Sequence, residues 1–444
     1  MASIIYMQTA PKKVINGWAM YDWANSVYNL VITTTFFPIY FLASTKDYFG
    51  SEHITFLNRK FVNSALYDYA LTGAYLIIAL LYPILTSISD TRGNKKQFMQ
   101  FFCYLGAISC SALYFFNGSN VELGVLFFVL AAIGYSGSLV FYNSYLPEIA
   151  AEQDRDRVSA RGYSLGYVGS VLLQIIGFTL VLTMPSAAEA SRITFLLVGI
   201  WWIVFAQFAF RVLPKQQISA DRVKGNVFKD GFREIKKVYL QVKNMPVLKS
   251  FLRAFFFYSM GVQTVMLAAT LFGSKVLGLN DTKLIVTVVI IQLVAIAGAW
   301  SMSRLSGKYG NLRVLIGVIF FWIAVCLAAY YTAYLKEQGQ DPEYYFYALA
   351  ICVGLVMGGV QSLSRSTFAK LMPETRETAS FFCYYDFTEK IAIATGILSF
   401  GLIEELTHAH GGMKNSILSL IVFFVLGLIW LFAALRKQRR VSIG

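Results

Sequence analysis

Apolar runs of about 20 residues follow one another from the beginning of the chain to its end. A helix of that length crosses the hydrocarbon core of a bilayer, which is roughly 30 Å thick. The run VTVVIIQLVAIAGAW is apolar on every face, whereas the strands of a membrane barrel alternate in hydrophobicity. Because 57% of the residues are hydrophobic and only 14% are charged, the sequence predicts an all-helical integral membrane protein.

Twelve runs of this kind predict twelve transmembrane helices in two sets of six. Their predicted bounds are 14–43, 61–88, 97–116, 121–145, 160–184, 190–212, 247–273, 282–304, 312–333, 343–369, 379–403 and 415–435. The segment before the first run has no small-residue cleavage site after an apolar core. We therefore expect the first helix to remain as a true membrane span.

The net charge of +14 would also suit a nucleic-acid-binding protein, but the positions of the basic residues argue against that class. Most of the 38 Lys and Arg residues fall in loops on one side of the predicted membrane, together with both ends of the chain. Cytoplasmic loops carry such an excess, so both termini are predicted to be cytoplasmic. The basic residues predicted on the other side are Lys46, Arg59, Lys60, Arg192, Lys275, Lys283, Lys336 and Lys414.

A polar and basic segment between the two sets of helices predicts three parts of the chain. These are an N-terminal bundle at 1–213, a cytoplasmic linker at 214–246 and a C-terminal bundle at 247–444. Apolar linker residues recur at helical spacing opposite lysines and arginines, namely Phe228, Phe232, Ile235, Tyr239 and Val242. This pattern is typical of an amphipathic helix on anionic lipid, and equally of a helix packed beneath the bundle.

The sequence predicts no cofactor and no catalytic residue. The stretch EELTHAHGG could chelate a metal weakly, but a solvated loop is the preferred interpretation. The histidines, His53, His408 and His410, lie in predicted outside loops, and the cysteines lie within predicted spans without a disulfide framework. No Walker-type phosphate loop occurs, so ATP is not expected to drive the protein directly. A polytopic membrane enzyme or a sensor is the alternative from a different class. The missing nucleophile motif and the missing soluble domain argue against it.

The stretch GWAMYDWANSVYNL places an aspartate, Asp22, inside the first predicted helix. Exposing this carboxylate to lipid would cost up to about 3 kcal/mol, so it should face the protein interior or a wet cavity. Helical spacing aligns it with further polar residues, Asn25, Ser26, Asn29 and Thr33. The stripe predicts the wall of a cavity, although a buried aspartate can also simply brace a neighbouring helix.

The eleventh predicted helix, FFCYYDFTEKIAIATG, contains three more charged residues. Asp386 and Lys390 are four positions apart and are predicted to neutralise each other, which leaves Glu389 unpaired. A desolvated carboxylate can bind and release a proton near neutral pH, as ion-coupled transport requires. The alternative is a structural triad near the cytoplasmic interface.

Arg365 lies about two turns inside the tenth predicted helix. It is predicted to bind a substrate carboxylate or to act as a gate, with snorkelling to the headgroups as the alternative. Together with Asp22 it favours a small zwitterion as substrate, whose ammonium would bind Asp22. The predicted substrate-binding residues are Tyr21, Asp22, Asn25, Tyr28, Asn29, Tyr258, Gln263 and Arg365.

The two halves contain matching landmarks, SDTRGNKKQF after the second helix and SGKYGNLRVL after the eighth. Six plus six helices with a basic central loop resemble the plan of the major facilitator superfamily. The first landmark resembles that superfamily's signature loop through Asp90, Arg92 and Gly93, although Thr86 replaces its leading glycine. This resemblance implies a gating role for Asp90 and Arg92. The predicted coupling or gating residues are Asp90, Arg92, Asp386, Glu389 and Lys390.

A narrower resemblance rests on four longer blocks of sequence. They are MYDWANSVYNLVITTTFFPIYF, YNSYLPEIAAEQDRDRVSARGYSLGYVGS, FFFYSMGVQT and GGVQSLSRSTFAKLMPETRETASFFCYYDFTEK. These blocks are similar to the autophagy-related vacuolar amino-acid effluxer family and its bacterial relatives. The family often has Tyr-Asn-Asp-Gly in the seventh helix, where this chain has Tyr258, Ser259, Met260 and Gly261.

That resemblance implies a transporter of an amino acid or a similar zwitterion, with proton-coupled efflux as one form of the mechanism. Export of a lipid, a drug or a cell-wall fragment is the alternative within the transporters. The expected partners are a small-molecule substrate, protons and membrane lipids, and no nucleic acid. We expect a monomer in the plasma (inner) membrane of a bacterium.

Overall fold

A computed structural model describes residues 8–215, 227–407 and 413–443. It confirms that the chain is built mainly from long helices, and ten helices in the described ranges are long and apolar enough to cross a membrane. The N-terminal helices are α1 (Lys12–Val27), α2 (Phe37–Phe49), α3 (Asn63–Arg92), α4 (Lys95–Ala112), α5 (Val121–Ser144), α6 (Leu146–Ile149), α7 (Arg155–Thr183) and α8 (Ala187–Val212). The later helices are α9 (Val227–Lys243), α10 (Pro246–Leu271), α11 (Asp281–Tyr309), α12 (Asn311–Glu337), α13 (Glu343–Leu371), α14 (Thr378–Leu406) and α15 (Met413–Ile443).

The first predicted helix is one continuous rod with a different winding in its middle. Between α1 and α2, Tyr28–Phe36 forms a π-helix, which changes the backbone hydrogen-bonding pattern. The carbonyl of Leu30 accepts hydrogen bonds from the hydroxyls of Thr34 and Thr35 and from Nε2 of Gln174 on α7. Side chains therefore satisfy a main-chain acceptor in this segment.

The prediction of a purely helical chain misses a short β-hairpin. Strand β1 (His53–Phe56) pairs antiparallel with β2 (Arg59–Val62) between α2 and α3. Its two-residue loop, Leu57 and Asn58, has positive φ angles of 47° and 62°, as a tight hairpin turn of this type requires. The second long helix consequently begins at Asn63 rather than at the predicted residue 61.

The helices pack as two halves that meet along a few helices. In the N-terminal half, α1 packs against α7 and α8, and α4 packs against α5 and α8. In the C-terminal half, α10 packs against α14 and α15, and α11 packs against α13. Between the halves, α7 contacts α11 and α13, while α14 contacts α3 and α5. The candidate site lies in the space between the halves, next to these four helix–helix contacts.

The predicted linker helix is present as α9, which packs against α3, α10 and α14. Val238 and Val242 are buried, whereas Tyr239 is 54% exposed. Lys237 forms an ion pair with Glu377, just before α14 begins. These contacts favour the packed alternative over a helix lying free on lipid. We call the end of the molecule where α9 lies the linker face, and the other end the opposite face.

Candidate functional site

A cavity lies between the two halves and is lined by both of them. Its volume is about 990 Å³, counted with the space at its mouth. The lining includes most of the polar stripe predicted on the first helix, and polar groups from α13 and α14 face that stripe. The polar and charged residues of the lining are Asp22, Ser26, Asn29, Thr33, Thr34, Tyr75, Tyr135, Asn143, Tyr163, Tyr167, Gln263, Gln361, Arg365, Tyr385, Asp386, Glu389 and Lys390.

An ion pair across the two halves stands at the linker-face end of this cavity. Both terminal nitrogens of Arg365, on α13, lie 3.1 Å from Oδ2 of Asp22, on α1. Arg365 is 1% exposed and Asp22 is 4% exposed. Because each charge is removed from water, each depends on the other for compensation. Asp22 and Arg365, predicted separately from the sequence, are thus direct partners in this structure.

Neutral groups complete the surroundings of the ion pair. Nε of Arg365 donates to Oγ of Ser159 at 3.0 Å, and Nη2 donates to the Ser159 carbonyl at 2.9 Å. The hydroxyl of Tyr142 donates to Oδ2 of Asp22 at 2.8 Å. The guanidinium lies over the rings of Trp18 and Tyr163, at 4.8 and 4.2 Å from their centroids. These contacts hold the guanidinium in one place and leave it within reach of the cavity.

Two glycines on α7 make room for the ion pair. A Cβ atom on Gly162 would lie 2.3 Å from Oδ2 of Asp22 and 3.0 Å from Nη2 of Arg365. A Cβ atom on Gly166 would lie 2.4 Å from Oγ of Ser26. The small residues of α7 therefore allow α1 to approach with its polar stripe.

The cluster on α14 is paired differently from the sequence prediction. Nζ of Lys390 lies 3.0 Å from Oε2 of Glu389, its neighbour in the chain, rather than on Asp386. Glu389 also accepts a hydrogen bond of 3.4 Å from Gln263. The prediction that Glu389 is the unpaired carboxylate is wrong, because the side chains of residues 389 and 390 turn towards each other around the helix.

Asp386 is the carboxylate of the α14 cluster that forms no ion pair in this structure. It is 1% exposed, and its Oδ1 accepts a hydrogen bond of 3.2 Å from Nδ2 of Asn143 on α5. Its Oδ2 has no hydrogen-bond partner among the described residues. The other side of the same Asn143 amide, Oδ1, accepts from Nη1 of Arg365 at 3.3 Å. Asn143 therefore connects the α14 cluster to the ion pair.

Four of the predicted substrate-binding residues do not line the cavity. Tyr21 packs against Tyr142 and Phe210, and Tyr28 packs against Tyr135 and Trp202, inside the N-terminal half. Asn25 is buried away from the cavity. On α10, the hydroxyl of Tyr258 lies 2.7 Å from that of Ser364 within the C-terminal half. Helical spacing alone did not exclude these residues, because in a bundle the side of a helix that packs against its neighbours is buried just as the side that faces the cavity is.

Asp90 connects the halves at the linker face. Its carboxylate accepts hydrogen bonds from the main-chain nitrogens of Ala379 and Ser380, at 3.4 and 2.7 Å, in the first turn of α14. A carboxylate at a helix N-terminus satisfies free N–H groups and interacts favourably with the helix dipole. Close by, Lys95 pairs with Glu148 at 2.5 Å and donates to Oγ1 of Thr378. The other residue of the predicted pair, Arg92, is exposed at the end of α3 and takes no part in these hydrogen bonds.

A second connection at the linker face was not predicted. Asp156, in the first turn of α7, accepts hydrogen bonds from Ser306 at 2.7 Å, from Asn311 at 2.6 Å and from Lys370 at 2.6 Å. In the first connection the acid lies in the last turn of α3, whereas in the second it lies in the first turn of α7. The position of the second landmark that matches Asp90 holds Gly307. The signal for it lay in the charge-rich EQDRDR segment, whose partners are more than 140 residues away.

Asn143 and Ser159 were also missed, although both lie in blocks quoted for the family resemblance. Among the described residues, no group of three or more His, Cys, Asp or Glu side chains could hold a metal ion. His408 and His410, the weak metal-binding candidates, lie outside the described residues.

The comparisons with known proteins cover almost the whole chain. The family model described as Vacuole effluxer Atg22 like matches residues 10–442. The uncharacterized MFS-type transporter YxiO of Bacillus subtilis is 32% identical over 421 residues, which is 93% of either chain. Autophagy-related protein 22 of Eremothecium gossypii is 24% identical over 477 residues, covering 97% of this chain and 92% of the fungal protein.

Solved structures of the major facilitator superfamily share the fold. The proton:xylose symporter XylE superimposes with a TM-score of 0.69 at 12% identity, covering 95% of this chain and 94% of XylE. The human organic anion transporter MFSD10 gives a TM-score of 0.67 at 13% identity and covers 94% and 98%. At such low identity these structures support the fold alone.

Proposed function

Because this chain belongs to the Atg22-like effluxer family of major facilitator superfamily transporters, we propose that it transports a small zwitterion such as an amino acid. The observation that carries this proposal is the buried Asp22–Arg365 ion pair within a polar cavity between the halves. Efflux is the direction that we infer from the description of the family. Coupling to a proton gradient supplies the driving force in this proposal.

The charges of the ion pair favour a zwitterion over a neutral solute. If a solute separated Asp22 from Arg365, each buried charge would lose its partner, and such a loss costs several kcal/mol. An amino acid offers an ammonium to Asp22 and a carboxylate to Arg365, so that both charges stay compensated. A sugar offers neither. Arg365 can hold a carboxylate through two nitrogens at once, which favours that group over a hydroxyl.

The cavity has walls of suitable size and polarity for such a solute. Tyr163 and Tyr75 contribute aromatic faces, and Asn29 and Gln361 contribute amides. This charged lining argues against a purely apolar cargo such as a lipid, which would leave the polar groups without partners.

The distribution of contacts between the halves supports alternating access. Asp90 and Asp156 close the linker face, and the Asp22–Arg365 pair lies just inside it. Farther from that face, Gln292 of α11 donates to Gln174 of α7 at 2.9 Å. Direct hydrogen bonds between described residues of the two halves therefore extend from the linker face to the level of Gln174 and Gln292. Breaking the linker-face contacts would admit the solute from the other side.

The proposal also covers the orientation and organisation of the chain. Twelve spans, with both termini and the linker in the cytoplasm, agree with the charge pattern of the loops. The bundles are residues 1–213 and 247–444, joined by the linker at 214–246. The protein works as a monomer in the plasma membrane of a bacterium.

A thermal-shift screen tests the substrate class. The purified chain is heated in detergent with each of the common amino acids, with dipeptides and with sugars. A ligand that binds the folded state raises its apparent stability by mass action, so at least one amino acid should raise the melting temperature. The matched control is Asp22→Asn, which should fold yet lose this ligand-induced shift. Stabilisation by sugars alone, or an equal shift in the control, would contradict the proposal.

Protease treatment tests the orientation. In intact cells an external protease should leave the linker at 214–246 uncut, whereas in inside-out vesicles it should cut there. Cleavage in intact cells would overturn the proposed topology.

A further inference from the structure

The charges that line the cavity do not balance. The lining contains three carboxylates, Asp22, Asp386 and Glu389, and two cations, Arg365 and Lys390. Two carboxylate–cation pairs are formed, Asp22 with Arg365 and Glu389 with Lys390. Asp386 is left over, buried and with one neutral hydrogen-bond donor. An ionised carboxylate in this position is poorly compensated, and uptake of one cation would balance the charge.

The carboxylate oxygen of Asp386 that has no partner among the described residues fits a proton better than a larger cation. Oδ2 is the atom without a partner, and it is buried. Among the described residues, no cluster of acidic or thiolate side chains surrounds it that could coordinate a metal ion. A proton needs a single oxygen, and the cavity gives it a route because Asp386 belongs to the lining.

The groups around Asp386 come from several helices. On α14 itself they are Cys383, Tyr385, Glu389 and Lys390, and the facing groups are Arg365 of α13, Asn143 of α5, Tyr163 of α7 and Tyr82 of α3. On two other helices that pack against α14, one lysine each is bound to another group. Lys437 of α15 donates to Ser250, and Lys237 of α9 pairs with Glu377.

We propose that Asp386 is the proton-binding group of the transport cycle and that Asn143 is a positioning residue that links it to the Asp22–Arg365 pair. This inference rests on the proposed function, because it names the coupling ion of the same cavity. The proton adds to Oδ2 of the carboxylate to give the neutral acid, and it leaves from the same atom. No other bond is formed or broken.

Asn143 links Asp386 to the ion pair because its amide has a donor, Nδ2, and an acceptor, Oδ1. When Asp386 is ionised, it holds Nδ2 of Asn143 and thereby keeps Oδ1 towards Arg365. Hydrogen bonds in such a chain polarise and strengthen one another. When Asp386 is neutral, this strengthening is lost and the negative charge near Arg365 disappears. The guanidinium then attracts an added carboxylate more strongly, which couples proton binding to the binding of the solute.

Infrared difference spectroscopy tests the proton site without any substrate. The full chain in lipid nanodiscs is cycled between mildly acidic and mildly alkaline pH, and the carbonyl stretch of protonated carboxylic acids is recorded. We expect an acid band that shifts when the protein carries ¹³C-labelled aspartate and does not shift with ¹³C-labelled glutamate, and to which Asp386 contributes. This arm needs no variant, so a folding defect cannot obscure it.

Matched variants assign the band to one residue. Asp386→Asn should remove a defined part of the aspartate band, whereas Glu389→Gln, the same acid-to-amide change one turn along α14, should leave that part in place. No band, a band that shifts with the glutamate label alone, or a band that is unchanged in Asp386→Asn would each overturn the inference. A negative amino-acid screen would contradict the proposed function and leave this result unchanged.

A second readout tests the positioning role of Asn143. The guanidinium bands of ¹⁵N-labelled arginine should change with pH in the natural protein. In Asn143→Leu the arginine response should become smaller, because only the direct effect of the Asp386 charge is left, while the Asp386 band remains. An arginine response that is undiminished in this variant, or that is missing from the natural protein, would show that Asn143 does not link the two groups.

Discussion

Asp22 and Asp386 line the same cavity and are buried to the same degree, yet their surroundings differ. Asp22 has the guanidinium of Arg365 and the hydroxyl of Tyr142. Asp386 has one amide donor and a second oxygen with no partner among the described residues. The charge of Asp22 is therefore compensated by a direct partner in this structure, whereas that of Asp386 is not. Burial shows that a carboxylate is held inside the protein, and its partners decide what it can do there.

The largest expected effect follows from removing the cation that pairs with Asp22. Arg365→Gln leaves Asp22 buried without a cation and also removes a positive charge from the neighbourhood of Asp386, so we expect the free energy of unfolding to fall by about 3–5 kcal/mol. Asp22→Asn should cost less, because Arg365 keeps its bonds to Ser159 and Asn143 and the nearby charge of Asp386. Thermal unfolding in detergent measures both variants. Equal losses of stability in the two variants would mean that the charge of Asp386 does not interact with Arg365.

A steric change should disturb Asp22 and spare Asp386. Gly162→Ala places a methyl group within 2.3 Å of Oδ2 of Asp22, so we expect a destabilisation of about 2 kcal/mol and a weakened ion pair. Gly317→Ala is the matched control, because a Cβ atom there meets nothing within 4 Å. If both variants unfold at the same temperature as the natural protein, the close approach of α7 to the ion pair is not tight.

Asp90 extends the comparison to an acid whose partners are main-chain N–H groups. Asp90→Ala removes the acceptor for Ala379 and Ser380, and the loss of such a cap costs about 1 kcal/mol. Hydrogen exchange of the amides in the first turn of α14 should become faster. Arg92→Ala is the control, since Arg92 is exposed, and it should leave this exchange unchanged. Faster exchange in Arg92→Ala but not in Asp90→Ala would show that Arg92, and not Asp90, stabilises the first turn of α14.

The smallest effect is expected for the uncompensated acid itself. Asp386→Asn removes a buried charge and keeps a polar group beside Asn143, so at neutral pH the stability should change by no more than about 0.5 kcal/mol or should rise. The same thermal unfolding experiment measures this. A loss as large as that of Arg365→Gln would show that Asp386 has a strong partner and would remove the contrast with Asp22.

Much of the fold was predictable because it depends on local chemistry. Apolar length located the long helices, and the spacing of Asp22, Ser26, Asn29 and Thr33 identified the cavity wall on the first helix. The β-hairpin was missed, because four-residue strands with no apolar alternation resemble a polar loop in sequence.

The pairing of charges was not predictable from the sequence in the same way. A four-residue spacing favours Asp386 with Lys390, but the observed pair is Glu389 with Lys390. The choice depends on Asn143 and Gln263, which come from other helices and occupy one acid each. Likewise, the separation of 343 residues between Asp22 and Arg365 leaves no local signal that they meet.

The π-helical segment at Tyr28–Phe36 divides the first transmembrane helix into two α-helical parts. The first part, α1, carries Asp22, and the second part, α2, leads to the β-hairpin. The segment between them is fixed to α7 by the hydrogen bond from Gln174 to the carbonyl of Leu30, and Gln174 in turn accepts a hydrogen bond from Gln292 of the other half. Because π-helical turns are common sites of helix bending, we expect this helix to bend here, with Asp22 still paired with Arg365.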